Sequence, residues 1–214
     1  MNQKGEDRER QLNLDCYFNE NYFELAQLCS YAHQISDIYQ TGAREILEIG
    51  VGSGLTSSFL RKSGRKVTTA DINPNLSPDI CAPLSELGRY VGELKYDLVV
   101  CCEVLEHMPF EQFEESVELL RSFSKNLYLT LPAYRRTLGF GGMFRFPRLG
   151  MLPFNFHLEL PNRKPISPSH FWEVDSESFS RKSNIVGVLR KYYSTVSWAR
   201  YELNPKHIKF VAAA

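Results

Sequence analysis

The sequence predicts an α/β fold with a mostly parallel β-sheet, and three observations carry this prediction. Short apolar runs typical of buried strands alternate with amphipathic segments typical of helices between residues 21 and 132. The run over residues 96–102 is almost unbroken in its apolar character, as expected for a strand covered on both faces. The resulting β-α-β alternation implies right-handed crossovers, which make neighbouring strands parallel.

Length and composition fit one domain with an insertion. The chain has 214 residues, of which 43% are hydrophobic and 23% charged, enough for one well-filled core. We therefore expect a single domain over residues 17–214, preceded by a disordered tail over residues 1–16. Residues 1–10 are polar and charged, so this segment has the character of neither a signal peptide nor a membrane anchor.

The charge balance bears on nucleic-acid binding, and the cysteine content bears on the cellular compartment. Lys plus Arg and Asp plus Glu both total 25, so no global positive field favours binding to nucleic acid. The five cysteines include no CxxC pair, and Cys101 and Cys102 are adjacent within an apolar run. This usage predicts reduced core thiols and a cytoplasmic protein.

The first elements of the domain are a helix and a strand that enters a glycine-rich turn. Residues 21–40 carry apolar side chains at mostly helical spacing, and residues 41–42 end that pattern. A strand over residues 44–49 then leads into Gly50, Gly52 and Gly54, and a helix follows. Glycine allows positive φ and lets a ligand lie against main-chain N–H groups, so we expect a ligand at this turn.

The spacing of the glycines and one acid indicate the type of ligand. A dinucleotide fingerprint requires its third glycine at position 55, which is Leu55. Glu48, near the carboxyl end of the strand, would repel a pyrophosphate and attract a cation. The stretch from Glu48 to Gly54 resembles the E-x-G-x-G-x-G motif of class I S-adenosylmethionine-dependent methyltransferases.

That resemblance implies a Rossmann-like three-layer sandwich, with a mostly parallel seven-stranded sheet that ends in an antiparallel hairpin. It also implies S-adenosylmethionine (SAM) as the cofactor, bound at Glu48, Gly50, Gly52 and Gly54. In the resembling family an N-terminal helix often caps the cofactor, which would bring Tyr17 and Tyr22 over it. The other interpretation of these two aromatic residues is that they cover the core.

Acids at the ends of later strands extend the predicted cofactor site. The strand Lys66–Asp71 ends about 20 residues beyond the glycine turn, where a carboxylate is placed to accept both ribose hydroxyls. We assign Asp71 to that role, and the adjoining Ile72 is also predicted to contact the cofactor. The resemblance implies that Asp79 and Ile80, at a short third strand, contact the adenine, and Cys102 ends the fourth strand at the reactive end of the cofactor.

The segment after the fourth strand carries the candidate catalytic and metal-binding residues. If residues 103–107 are helical, Glu103, Glu106 and His107 stand on one face, as in a facial metal site. The E-x-x-E-H pattern resembles ubiquinone-biosynthesis O-methyltransferases and small-RNA 2′-O-methyltransferases, in which a later histidine completes a site for a divalent metal such as Mg or Zn. His170 is the first candidate for that histidine and His157 the second.

A second interpretation of Glu103, Glu106 and His107 involves no metal. His107 would then contact the cofactor or act as a base, and Glu106 would hydrogen-bond locally. In either interpretation we predict His107 and Glu103 as the catalytic residues.

The second half of the chain is predicted from weaker patterns. Helices are expected over residues 84–91 and 110–124, and a fifth strand over Asn126–Pro132. A helix over residues 176–191 is expected to have Asp175 or Ser176 at its N-cap. Strands over residues 193–201 and 207–211 would form the antiparallel hairpin.

Residues 133–169 are rich in proline, glycine, aromatic residues and arginine, and we predict a substrate-lid insertion there. Its arginines would hold an anionic substrate or lie on a membrane surface, or they would only solvate the loop.

These features predict a methyltransferase that acts on a small-molecule acceptor, with O-methylation favoured. An RNA 2′-O-methyltransferase is the first alternative, which the zero net charge opposes. A catalytically inactive SAM-binding subunit is the second. A nicotinamide-dependent dehydrogenase is disfavoured by Leu55 and Glu48.

Overall fold

The structure is a computed structural model that describes residues 5–148 and 150–214. Its nine strands are β1 (Glu45–Ile49), β2 (Lys66–Asp71), β3 (Ile80–Cys81), β4 (Leu98–Cys102), β5 (Asn126–Pro132), β6 (Arg136–Phe146), β7 (Gly150–Leu160), β8 (Thr195–Arg200) and β9 (His207–Ala213). Its helices are α1 (Glu6–Glu9), α2 (Leu25–Gln40), α3 (Leu55–Lys62), α4 (Phe113–Phe123) and α5 (Lys182–Tyr192).

Seven of these strands form the main sheet, in the order β3-β2-β1-β4-β5-β9-β8. β1 pairs in parallel with β2 and β4, and the parallel pairing continues to β3 on one side and β5 on the other. β9 is antiparallel to both β5 and β8. The predicted seven-stranded, mostly parallel sheet with a C-terminal antiparallel hairpin is confirmed.

Alternation along the strands explains why helices cover both faces of the sheet. In β1, Leu47 belongs to a core cluster with Val117 of α4 and Leu189 of α5. Its neighbour Ile46 belongs to a second cluster with Ile38 of α2 and Leu60 of α3. Successive side chains of a strand point to opposite faces, so an apolar strand needs an apolar layer on each side. The result is the predicted three-layer arrangement.

Two predicted helices have different bounds or geometry in the structure. The segment predicted as a helix over residues 84–91 is a 3-10 turn at Leu84–Arg89. The helix predicted from residue 176 begins at Lys182, because the Ser180 hydroxyl instead donates to the Glu173 carbonyl within a turn. Asp175 still serves the start of this helix, since its carboxylate accepts a hydrogen bond of 3.0 Å from the Lys182 N–H.

The N-terminal segment has regular structure where the sequence predicts disorder over residues 1–16. Residues 5–16 contain α1 and most of a 3-10 turn at Leu14–Tyr17, whereas residues 1–4 lie outside the described chain. The Leu12 carbonyl accepts hydrogen bonds from the side chains of Asn73 and Asn75, at 2.8 and 3.2 Å. These contacts fasten a polar segment to the loop that follows β2, which no apolar pattern in the segment predicts.

β6 and β7 form a separate two-stranded antiparallel sheet within residues 133–169, where we expected an irregular lid loop. The glycines of β6 obscured its period-two alternation of apolar residues. The base of this hairpin is fixed by Arg200 of β8, whose guanidinium donates two hydrogen bonds to the Glu159 carboxylate at 3.0 and 2.7 Å. Within the described residues, no helix has the length and apolar character needed to cross a membrane.

Candidate active site

A cavity of about 770 Å³ opens beyond the carboxyl ends of the central strands. Ligands of open α/β sheets gather at this edge, so its position agrees with the general rule for the fold. Most of the predicted site residues line it: Glu48, Gly50, Gly52, Asp71, Ile72, Cys102, Glu103, Glu106, His107 and His170. Gly54 lies at the start of α3, where its φ of +71° closes the turn.

The glycine turn and Asp71 form one hydrogen-bonded unit. The Val51 N–H donates to Asp71 Oδ2 at 2.7 Å, and the Asn73 N–H donates to Oδ1 at 2.8 Å. Gly50 has a φ of +83°, and a Cβ there would collide with the Val104 side chain. Burial raises the pKa of Asp71, and its backbone hydrogen bonds offset part of this effect. The turn therefore holds a carboxylate directly beside exposed backbone.

Glu48 places a second acid under the same turn. Its side chain is buried, and Oε2 has no hydrogen-bond partner in the described part of the chain. Burial raises the pKa of Glu48 to about 7, while a hydrogen bond from Ser57 and the charge of Arg61 act in the opposite direction. A cationic group in the cavity would favour the ionised form of the Glu48 carboxyl, because it would give the buried negative charge a positive partner.

Asp79 and Ile80 are not among the residues that line the cavity, and their contact with the adenine stays a prediction. The Asp79 carboxylate instead accepts hydrogen bonds from the Thr69 N–H at 2.7 Å and from Arg61 at 2.5 Å. These bonds join β2 to the start of β3 and lower the pKa of Asp79 in spite of the partial desolvation that opposes them. On this side the cavity is lined by Ala82, Leu84 and Leu87.

Glu103 is separated from the rest of the E-x-x-E-H pattern. Its φ is +55°, and the 3-10 turn that follows spans only Leu105–His107, so residues 103–107 are not one helix. Glu103 Oε2 lies 3.8 Å from Nε2 of His207. The predicted four-residue metal set is therefore corrected to three residues, with Glu103 on a different part of the cavity wall.

Glu106, His107 and His170 form the remaining cluster, in which the nearest ligand atoms all lie within 4.8 Å of one another. Glu106 is fully buried, and neither carboxylate oxygen has a hydrogen-bond partner among the described residues. Burial, followed by the charge of Glu103, raises the pKa of Glu106 well above its ordinary value. Burial also lowers the pKa of His107, so its ring favours the neutral form.

The outer partners of the two histidines orient their rings. His170 Nδ1 lies 3.0 Å from Glu173 Oε1, and His107 Nδ1 lies 3.2 Å from the Ser169 carbonyl. These contacts engage Nδ1 of both rings, as the outer hydrogen-bond partners of metal-binding histidines do. The orphaned carboxylate and the two oriented rings fit a divalent cation. His157 lies on β7, outside the cavity lining, so it is not part of this cluster.

Several lining residues were not predicted as site residues. Tyr17, which the family resemblance brings over the cofactor, lines the cavity too, whereas the side chain of Tyr22 lies outside the described residues. Glu9 belongs to the unpredicted residues, and its Oε1 lies 3.4 Å from His107 Nδ1. Nothing in the polar sequence around Glu9 indicates this contact. His207 was identifiable in principle, because β9 runs antiparallel to β5 and the register pairs His207 with Pro132 at the cavity end of the sheet.

The sequence matches the family model described as a methyltransferase domain over residues 18–138, more than half of the chain. The chain belongs to this methyltransferase family. The resemblance to class I SAM-dependent methyltransferases is thereby confirmed, and SAM is the cofactor that membership implies. Comparison with curated protein sequences gave no match.

Solved structures of other methyltransferases share the fold. A SAM-dependent methyltransferase from Archaeoglobus fulgidus is 15% identical, with a TM-score of 0.64 over 94% of this chain and 99% of the other. Magnesium protoporphyrin IX methyltransferase from Synechocystis PCC 6803, with bound SAM, is 15% identical, with a TM-score of 0.59 over 98% and 95%.

A third similar structure is the 1,6-didemethyltoxoflavin-N1-methyltransferase of Burkholderia thailandensis, which contains S-adenosylhomocysteine. It is 12% identical, with a TM-score of 0.58 over 94% of this chain and 83% of the other. At 12–15% identity these comparisons show a common fold and do not identify the acceptor of this chain.

Proposed function

We propose that this methyltransferase transfers a methyl group from SAM to a small-molecule acceptor, with oxygen as the favoured nucleophile. One observation carries the proposal. A single cavity joins an acid-flanked glycine turn to a buried imidazole and carboxyl cluster. The first part suits a cationic nucleoside, and the second suits removal of a proton from an acceptor.

The cofactor half of the cavity is assigned to residues around the glycine turn. Asp71 is proposed to accept the ribose hydroxyls, and Glu48 to face the positive charge of the ligand. Gly50 lets the turn pack against Val104, where a Cβ would have no room, and a Cβ at Gly52 would meet only the Tyr17 ring at 3.8 Å. When bound, SAM supplies a methyl group that is already electrophilic.

The acceptor half is assigned to the histidine cluster. His107 is proposed as the general base that takes the proton from an acceptor hydroxyl, because its lowered pKa keeps the ring neutral near neutral pH. Alignment of the acceptor with the methyl group in one cavity contributes up to about 7–11 kcal/mol in the best cases. Glu103 is proposed as a second catalytic group, acting together with His207 from the other part of the wall.

A divalent cation, Mg²⁺ or Zn²⁺, held by Glu106, His107 and His170, is the alternative proposal for this cluster, in which His107 would be a ligand and not the base. It would lower the pKa of an acceptor hydroxyl as a Lewis acid. The orphaned oxygens of Glu106 support this proposal. Metal analysis of the purified protein after dialysis, compared with that of Glu106→Gln, tests it directly.

The small-molecule acceptor and the cytoplasmic location remain proposals based on the sequence. Two of the similar structures are named for small acceptors, magnesium protoporphyrin IX and 1,6-didemethyltoxoflavin. RNA is the alternative acceptor, favoured by the E-x-x-E-H pattern but opposed by the zero net charge. The other alternative is a catalytically inactive SAM-binding subunit, in which only the cofactor half of the cavity would have a function.

Calorimetric titration with SAM, S-adenosylhomocysteine and NAD, followed by a methyl-transfer assay over hydroxyl and amine acceptors, tests the proposal. We expect binding of SAM and its product, and SAM binding that is at least about tenfold weaker in Glu48→Gln. Glu45→Gln is the matched control, because Glu45 lies at the opposite end of the same strand in an exposed ion pair with Lys66. Binding of NAD alone would overturn the assignment.

A further inference from the structure

The β6–β7 hairpin carries a continuous apolar face that the described chain leaves uncovered. Residues paired directly across the two strands share a face, and the register pairs Leu138 with Leu158, Phe140 with Phe156 and Phe144 with Leu152. These six side chains, together with Phe146 and Leu160, are between 40% and 68% exposed. We define the apolar face as Leu138, Phe140, Phe144, Phe146, Leu152, Phe156, Leu158 and Leu160.

The same segment concentrates positive charge. Residues 133–164 contain one carboxylate, Glu159, and six basic side chains, all of them exposed: Arg135, Arg136, Arg145, Arg148, Arg163 and Lys164. Because the whole chain has equal numbers of acidic and basic residues, the remainder carries a formal charge of −5 while this segment carries +5. Glu159 is engaged with Arg200 at the base, so the outer part of the hairpin is purely cationic.

We propose that the hairpin docks on an anionic lipid bilayer, with its apolar face in the interface and its arginines at the headgroups. An apolar stripe with phenylalanine and leucine, bordered by basic residues, is the chemistry that binds such surfaces. A second copy of the hairpin is disfavoured as the occupant, since face-to-face packing would bring two segments of +5 together. An anionic surface also repels the rest of the chain, which carries a formal charge of −5. The hairpin is therefore the part of the protein that contacts the bilayer.

The position of the hairpin relates this surface to the cavity. The chain enters β6 from Pro132 and Ala133 and returns from β7 to Ser167, and all three residues line the cavity. Docking would therefore bring the cavity rim close to the bilayer. The proposal depends on the hairpin alone and not on the proposed methyl transfer, so either can fail without the other.

Co-sedimentation with vesicles tests the proposal, using phosphatidylcholine alone and an equal mixture with phosphatidylglycerol. We expect binding to the anionic vesicles to be at least about tenfold tighter than to the neutral ones, and to weaken with added salt. The double variant Phe140→Asp with Phe144→Asp should lose at least about tenfold in affinity. Phe59→Asp is the control, because Phe59 is 54% exposed on α3, outside the cavity lining.

A second measurement does not depend on the stability of the double variant. Phe144→Trp in a Trp198→Phe background should show a blue-shifted emission and quenching by brominated lipid on anionic vesicles. Absence of wild-type binding, or binding unchanged in the double variant, would overturn the proposal. Sedimentation of the wild type as a dimer that the double variant dissociates, with no vesicle binding, would assign the face to a second copy and would also overturn it.

Discussion

The Asp71 carboxylate at the end of β2 accepts a hydrogen bond of 2.7 Å from the Val51 N–H inside the glycine turn. One side chain therefore fixes the position of the turn and presents a negative charge to the cavity. The two roles are separable, because another aspartate bonds backbone N–H groups at the opposite end of the sheet. Asp97 Oδ2 accepts from the N–H groups of Arg44 and Glu45, both at 2.9 Å.

The first prediction compares Asp71→Asn with Asp97→Asn. Both changes weaken a charge-assisted bond to the backbone, so each should lower the free energy of unfolding by about 1 kcal/mol. Only Asp71→Asn should also weaken SAM binding, by at least about tenfold, because it removes a charge-assisted ribose contact. Thermal unfolding and calorimetry measure the two effects, and equal SAM affinities in the two variants would contradict the ribose assignment.

The second prediction concerns pH and Glu48. Its folded pKa of about 7 lies above the ordinary 4.5, so the protonated carboxyl stabilises the unliganded protein below pH 4.5. That contribution, about 3 kcal/mol at most, is lost as the pH rises through 7. A cationic ligand prefers the ionised form, so SAM affinity should rise about tenfold between pH 6 and pH 8.

Calorimetry at a series of pH values measures this change in affinity. Glu48→Gln provides the baseline for titration of the ligand itself, and subtraction of its profile isolates the carboxyl. If wild type and Glu48→Gln have parallel profiles, Glu48 does not face the cationic group.

The third prediction separates chemistry from binding at His107. His107→Asn should keep SAM affinity within about twofold and lower the rate of O-methylation by about 10²–10⁴-fold, the usual contribution of a general base. His33→Asn is the control, because His33 stacks on Tyr201 at a centroid distance of 4.9 Å and does not line the cavity. Single-turnover assays with saturating SAM measure the effect, and an undiminished rate would remove His107 from the mechanism.

The sequence sufficed for the sheet because apolar runs and turn residues are local signals. The bounds of β2 and β5 match the prediction residue for residue. That Asp71, Gly50 and Gly52 line one cavity was also predictable, since they follow strands whose ends meet at one edge of the sheet. The bond of Asp79 to Arg61 could not be predicted, because it depends on a packing contact that spacing does not reveal.

The other half of the cavity depends on distant contacts. The positive φ of Glu103 separates it from Glu106, and no sequence pattern marks a non-glycine residue for that conformation. The contact of Glu9 with His107 links residues that are far apart in the chain and carry no common motif. The sequence predicts a loop where β6 and β7 form a hairpin, because glycine and proline are ordinarily turn signals.

The fourth prediction concerns the partly buried ion pair of Arg200 and Glu159 at the base of the hairpin. The Arg200 side chain is only 2% exposed, and Glu159 accepts two of its hydrogen bonds while Arg135 and Lys182 lie within 4.0 Å. These cations lower the pKa of Glu159 although desolvation opposes them. Its stabilising effect is therefore present above its ordinary pKa and is lost as the pH falls through the lowered value.

Glu159→Gln leaves the Arg200 charge buried with a neutral partner, which should lower the free energy of unfolding by about 2–4 kcal/mol. Glu86→Gln is the matched control, because it breaks an exposed pair with Arg89 and should change stability by less than about 0.5 kcal/mol. Urea unfolding at neutral pH measures both. The carboxylate also holds the base of an exposed hairpin, so protease cleavage within residues 133–164 should accelerate in Glu159→Gln before global unfolding begins. Equal stability and equal cleavage in the two variants would show that Arg200 is satisfied by the Pro205 carbonyl alone, to which it also donates.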